Sequence, residues 1–296
     1  MNDTVVKRRA RRPRLDPDDR ARLLAEIAKY DLPPPETPGQ IREKLTGGQD
    51  TSTNADELWD ALQELPVHAE ALARNLVITA HRTDPAHAAF DVLRARLVQA
   101  MAEHGWTRLA VTSPTRGCGK SFTSANLAIT LSRYDNCRTL LLETDLRHSG
   151  LSRYFGIKPD TNTGKFLRGE TPASVFLRRV GENKLNIGKN LAIGLNDRAE
   201  AYAAELFQQP ETANVLAQMQ ADYQPDFVIY DMPPALAQDD VLALRPQFDC
   251  VLLVVGGGIT KAKEVREVTR RLGDDVPIIG IVLNKAQDTE QYNYNY

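Results

Sequence analysis

The stretch Leu109-Ala-Val-Thr-Ser-Pro-Thr-Arg-Gly-Cys-Gly-Lys-Ser121 narrows the choice of fold more than any other part of this chain. An apolar run ends in small residues and passes into Gly117, Gly119, Lys120 and Ser121. That order predicts a strand, a glycine-rich turn and the start of a helix. Glycines let the backbone turn so that several N–H groups point at one anion. The helix that follows adds its positive N-terminal end. In loops of the pattern G-x-x-x-x-G-K-[ST], the lysine reaches the β- and γ-phosphates of a nucleotide and the hydroxyl ligates Mg2+. Lys120 and Ser121 hold those two positions, while Pro114 replaces the first glycine. An ordinary strand–turn–helix is the alternative, but it gives no reason for Gly-Lys-Ser between a buried strand and a helical pattern.

Short apolar runs at 109–112, 140–142, 227–230, 250–255 and 278–283 read as further strands. They are continuous rather than alternating, so both faces of each are expected to be buried. Helical patterns at 121–132 and 261–272 lie between them. The fold class is therefore α/β: a phosphate-loop, mostly parallel sheet with helices on both faces. Ligands of such sheets bind beyond the carboxyl ends of the strands. Polar residues gather at those ends. Glu143 and Asp145 follow the second run, with side chains expected on one side because the strand period is two. Two such acids facing a γ-phosphate can hold Mg2+ through water and accept a proton from an attacking hydroxyl. Asp231 closes the third run ahead of Pro233 and Pro234, as a magnesium-facing acid does. Asn284 closes the last, where its amide either meets a purine edge or forms a turn.

Outside this region the chain changes character. Residues 1–14 hold six Lys and Arg against the single acid Asp3. They read as a disordered basic arm, suited to an anionic membrane surface or an acidic partner, or simply to solvent. Asp16-Pro17 starts a short amphipathic helix, and a second, weaker one is expected over 56–65; these either dock a partner or cover the domain. The division expected is an arm with short helices at 1–70, a phosphate-loop nucleotide-binding domain at 71–287 and a flexible tyrosine-rich tail at 288–296. The overall balance of 37 basic and 39 acidic residues gives no argument for nucleic acid. No run is long and apolar enough to span a bilayer, and the basic N-terminus lacks the apolar stretch of a signal peptide, so a cytoplasmic protein is expected. Three cysteines far apart suggest neither a disulfide framework nor a metal site. Cys118 sits in the loop itself, either as a tolerated small residue or as a thiol made reactive by the helix N-terminus.

The order Ser-Pro-Thr-Arg-Gly-Cys-Gly-Lys-Ser, Leu-Leu-Glu-Thr-Asp-Leu-Arg, Val-Ile-Tyr-Asp-Met-Pro-Pro and Ile-Val-Leu-Asn-Lys resembles the bacterial tyrosine kinases, the BY-kinases of capsule and exopolysaccharide synthesis. These stand within the wider MinD/ParA/Mrp group of ATPases. The resemblance covers residues 75–287 and maps the Walker A, A′ and B motifs onto 117–121, 143–147 and 231–234. MinD and ParA ATPases usually carry an extra lysine where this chain has Thr115, which favours the kinase branch. The resemblance implies ATP and Mg2+ as cofactors. Arg116, Gly117, Cys118, Gly119, Lys120, Ser121, Phe122 and Asn284 would surround the nucleotide. Ser121, Asp145 and Asp231 would hold the metal, and Lys120, Glu143, Asp145 and Asp231 would carry catalysis. The phosphoacceptors would be Tyr292, Tyr294 and Tyr296, usually met by a neighbouring subunit of a homo-oligomer. A membrane-embedded polysaccharide co-polymerase or adaptor is the partner implied, with the arm helping recruitment to the inner face of the membrane. Two residues depart from the family. Glu143 stands where Asp is usual, so that the base role could fall to Asp145. The ring-building motif Glu-x-x-Arg-x-x-Arg is reduced to Ala88, Asp91 and Arg94. An ATPase switch of the ParA/MinD kind, docking on a membrane partner without kinase activity, is the alternative.

Overall fold

The strands along the chain are β1 (Glu64–Leu65), β2 (Arg108–Thr112), β3 (Thr139–Glu143), β4 (Leu177–Val180), β5 (Leu191–Gly194), β6 (Phe227–Asp231), β7 (Cys250–Gly256) and β8 (Ile278–Asn284). They form one sheet in the order β1-β4-β5-β3-β6-β2-β7-β8. Every pair is parallel except β4 with β5. The computed structural model from which these elements are drawn describes residues 52–75, 77, 85–134, 137–185 and 187–286. The basic arm, the helix expected from Asp16, and Tyr292, Tyr294 and Tyr296 lie outside the described residues. Among the described residues, no helix is long and apolar enough to cross a membrane.

The sheet is buried between two layers, as its continuous apolar runs require. Leu109, Val111, Leu141, Ile229 and Leu252 join one core cluster, and Ala110, Leu140, Val228, Tyr230 and Leu253 join the other. Alternate residues of each strand thus feed opposite faces. Helices α1 (Ser52–Asp60), α2 (Pro85–His104), α3 (Lys120–Leu131), α4 (Pro210–Tyr223) and α5 (Ala262–Leu272) supply most of the cover. Leu97, Val98 and Met101 of α2 pack with α3 on the first face. Trp59 of α1, Leu216 and Met219 of α4, and Val268 and Leu272 of α5 pack on the second. Every residue from Thr123 to Leu131 is buried, which is what a helix wedged between a sheet and another helix requires.

Two expectations are corrected. The helix expected over 56–65 is α1, Ser52–Asp60, and Glu64–Leu65 pairs as a strand with Arg179 and Val180. Pro66 drives Leu65 out of the helical region, although the helix itself already ends at Asp60. The segment covers the domain: Trp59 and Leu62 are core residues, and the Trp59 indole donates to the Lys189 carbonyl at 3.3 Å. The second correction concerns β8. It is the last strand of the sheet, with cover on one face only, and Ile281 and Leu283 are 56% and 62% exposed.

Register brings the site together. Leu141 of β3 and Leu109 of β2 both align with Ile229 of β6, and Glu143 aligns with Asp231. The carboxyl ends of β2, β3 and β6 therefore form one rim, and the loops that leave them share one crevice.

Candidate nucleotide site

The loop after β2 needs its two glycines. Gly117 has φ 82° and Gly119 has φ 97°, a region other residues rarely adopt. A Cβ on Gly119 would also run into the Asn284 amide. Gly119 is the N-cap of α3 and brings no side-chain cap, so the first-turn N–H groups of that helix are available to an anion. A cleft of about 520 Å3 opens in front of them. Of the residues expected around the nucleotide, Arg116, Gly117, Gly119, Lys120, Ser121, Phe122 and Asn284 line it. Cys118 does not. Its thiol is 1% exposed and is turned inward, donating to the Thr115 carbonyl at 3.2 Å and lying 3.4 Å from the Thr260 hydroxyl.

Lys120 is the electrostatic centre. Its ammonium pairs with Asp145 Oδ2 at 2.8 Å. Burial alone would lower its pKa, but Asp231, Asp145 and Glu143 together raise it, so the ammonium is held charged. Asp145 also accepts from the His148 backbone N–H through Oδ1 at 3.1 Å. Asp231 is buried among the loop, α3 and β3. Its Oδ1 accepts from the Ser124 hydroxyl at 3.0 Å, and its Oδ2 makes no hydrogen bond. Burial raises its pKa with help from the Asp145 charge, and the Lys120 charge and the Ser121 and Ser124 hydroxyls only partly oppose that.

Glu143 occupies a different environment. Oε1 accepts from the Gly150 and Leu151 N–H groups at 2.6 and 2.7 Å, and Oε2 accepts from the Asn196 N–H at 2.9 Å. Burial pushes its pKa up against those three bonds. It does not line the cleft, whereas Asp145 does. The shared side expected of the two acids follows strand periodicity, but β3 ends at Glu143 and Asp145 lies in the turn beyond it. Asn284 lines the cleft with its amide partly used: Nδ2 donates to the Cys118 carbonyl at 2.9 Å, and Oδ1 accepts from the Lys285 N–H. It holds the phosphate loop to the end of β8.

Several residues of the site were not singled out beforehand. His148, Arg153, Tyr154 and Lys285 line the cleft. One His148 ring nitrogen lies 2.9 Å from the Arg116 guanidinium. Asp240, fully buried, holds Arg147 by two bonds of 2.9 and 3.1 Å, and Arg147 also donates to the Ala201 carbonyl at 2.6 Å. That pair ties the A′ segment to the chain that follows β6. Only Asp240, nine residues past Asp231, had a sequence cue, as an acid downstream of a motif; the others follow from how loops meet in space. The Ala88, Asp91 and Arg94 positions lie on α2, where Asp91 pairs with His87 at 2.9 Å and Arg94 at 3.5 Å within the subunit.

The residues present fit Mg2+. The donor set is hard oxygen, a hydroxyl from Ser121 and carboxylates, and Asp231 Oδ2 is a buried acceptor without a donor. Mg2+ is usually held this way, by few protein oxygens together with phosphates and water.

Residues 109–295 match the model of the CobQ/CobB/MinD/ParA nucleotide binding domain family. The chain is 31% identical over 214 residues to the putative tyrosine-protein kinase EpsB of Ralstonia nicotianae, covering 72% of this chain and 27% of that protein. It thus spans about a quarter of the length of such curated relatives. The kinase domain of the Escherichia coli tyrosine kinase ETK superposes with a TM-score of 0.63 at 25% identity, over 74% of this chain and 85% of that one. The kinase domain of VpsO gives 0.58 at 26% identity, over 68% and 95%.

Proposed function

The chain belongs to the CobQ/CobB/MinD/ParA nucleotide-binding domain family, and from that premise we propose that it is a protein-tyrosine kinase that uses MgATP to phosphorylate its own C-terminal tyrosines. The observation that carries this is the Lys120–Asp145 pair in a cleft whose charged lining is mostly cationic, in a chain whose relatives are named tyrosine kinases. ATP lies with its phosphates on the amides of 117–121. Ser121 would hold Mg2+, with Asp145 and Asp231 in its outer shell, and the ion would supply neutralisation of the phosphate charge. Lys120 leaves Asp145 for the γ-phosphate, where charge develops during transfer. Asp145 is then free to take the phenol proton, the role that Glu143 cannot fill while its oxygens serve three backbone donors. The phenol oxygen bonds to the γ-phosphorus, the bond to the β,γ-bridging oxygen breaks, and ADP leaves. Asn284 acts by fixing the loop.

Acceptors are Tyr292, Tyr294 and Tyr296 on a neighbouring copy. The partner is a membrane-embedded polysaccharide co-polymerase or adaptor, and residues 1–14 assist at the anionic inner face of the membrane. The setting is the cytoplasm, and the process is polymerisation and export of a surface polysaccharide. The test is incubation of the full chain with Mg2+ and ATP, alone and with its adaptor. Phosphotyrosine is mapped by mass spectrometry while ATP turnover is followed. Tail phosphate that disappears in Lys120→Met is the expected result. Turnover with an unmodified tail refutes the kinase reading in favour of an ATPase switch.

A further inference from the structure

We propose that Tyr202 is a second phosphoacceptor, on the folded domain, modified by the cleft of another copy of this chain; this rests on the kinase reading above. Tyr202 is 70% exposed. Of the other described tyrosines, Tyr223 and Tyr230 are buried. Tyr134 lies under the Arg94 guanidinium, and Tyr154 is covered by Arg153. Tyr202 is therefore the one exposed tyrosine among the described residues, while Tyr154 is half-buried and lines the cleft of its own subunit.

Its surroundings match the cleft. Four cations, Arg116, Lys120, Arg153 and Lys285, line that cleft against one carboxylate, Asp145. A cleft of this charge favours an acidic tyrosine segment. In sequence the segment around Tyr202 carries Asp197, Glu200 and Glu205 against Arg198. In the fold Arg168 pairs with Glu200 and Arg147 holds the Ala201 carbonyl, which leaves Asp197 and Glu205 as its acids without an ion pair among the described residues. Alanines at 199, 201, 203 and 204 leave no bulky neighbour in sequence to obstruct the phenol. The sequence Glu200-Ala-Tyr202 also repeats the spacing of Glu290-Gln-Tyr292. Of the nine tyrosines, only these two have Glu two positions earlier. Tyr202 does not line the cleft of its own subunit, so the transfer is between copies.

In that transfer the Tyr202 oxygen bonds to the γ-phosphorus of ATP. The bond to the β,γ-bridging oxygen breaks, ADP takes the electron pair, and the phenol proton passes to Asp145 of the transferring copy. The new dianion sits one residue from Ala201, whose carbonyl holds Arg147.

The experiment mixes two full-length forms. An isotope-labelled Lys120→Met chain serves as acceptor. An active chain with Tyr292→Phe, Tyr294→Phe and Tyr296→Phe serves as donor, and Mg2+ and ATP are supplied. The expected result is phosphate on Tyr202 of the labelled chain, with a loss of at least about tenfold in total phosphotyrosine when Tyr202→Phe is introduced into a tail-substituted chain acting on itself. Phosphate on Tyr292 of the labelled chain with Tyr202 unmodified overturns this inference and leaves the kinase reading standing. Phosphotyrosine nowhere, with the unsubstituted chain equally unmodified, overturns both.

Discussion

Replacing Glu143 separates two roles for a buried acid at the tip of β3. As a base, it should lose rate without losing stability. As an anchor, it should lose stability first. The structure supports the anchor. Three backbone N–H groups, from Gly150, Leu151 and Asn196, end on its carboxylate within 2.9 Å, and its side chain is fully buried. Hydrogen bonds to a charged group contribute about 1.5–3 kcal/mol each, and a buried donor left without a partner costs about 1–3 kcal/mol. Glu143→Ala strands three donors, and some will find water, so a loss of roughly 4 kcal/mol is expected. Glu143→Gln keeps an oxygen for Gly150 and Leu151 but turns an NH2 toward the Asn196 N–H. One bond is lost there, about 2 kcal/mol, which for a domain of this size lowers the melting temperature by roughly 4–8 °C.

The assay is calorimetry of the full chain beside phosphotransfer kinetics, with amide exchange read at Gly150, Leu151 and Asn196. The anchor role predicts faster exchange at those amides and a lower melting temperature in Glu143→Gln. A general base contributes about 10²–10⁴ in rate. A Glu143→Gln chain that melts like the parent yet loses that much kcat would refute the anchor. The pH dependence gives a second check. Burial raises the Glu143 pKa, so its ionisation costs stability as pH rises from its unfolded value through its folded one. Glutamine has no such cost, so the deficit of Glu143→Gln should shrink as pH rises through the raised carboxyl pKa.

Three further perturbations are informative. Asp231→Asn removes a buried carboxylate whose pKa is raised by burial, so the variant should melt at or above the parent temperature near neutral pH, lose that advantage on acidification, and fail to bind Mg2+ with ATP in calorimetric titration. Arg147→Ala leaves fully buried Asp240 unpaired and should cost about 3–5 kcal/mol in denaturant unfolding, most of it recovered when Asp240→Leu is added. Asp249 is held below the usual carboxylate range: burial opposes this, but Arg108 and the Thr107 and Arg108 N–H groups outweigh it. Asp249→Asn should therefore be less stable than the parent at neutral pH, and the gap should close as pH falls through the depressed pKa.

The order Gly117, Gly119, Lys120 and Ser121 after an apolar run was enough to place the loop and the helix start, because left-handed glycines and a helix N-terminus are local requirements. Central strands were legible for a similar reason: strands buried on both faces have continuous apolar sequences, and β2, β3, β6 and β7 do. β4 and β5 are four residues each and carry Arg178, Arg179 and Gly194, so they lack that signal. β8 has an interior-type sequence but an edge position, and only its place in the strand order exposes Ile281 and Leu283. Glu143 shows the same limit at the site. Its spacing from Asp145 suggested two acids on one phosphate, while its three donors come from positions 150, 151 and 196, which the loops bring together only in the fold.

Those donors change how the replacement of Asp by Glu is to be understood. An extra methylene on a catalytic base would misplace it by about an ångström, enough to cost substantial rate. On an anchor, the same methylene extends the carboxylate to the Gly150–Leu151 turn and the Asn196 backbone on the far side. The three acids near Lys120 then have separate tasks. Glu143 is saturated by backbone and fixes the turn that follows Asp145. Asp231 keeps one oxygen without a donor, which suits a cation. Asp145 alone both lines the cleft and touches the lysine, so it is the carboxylate whose partner can change when phosphate arrives.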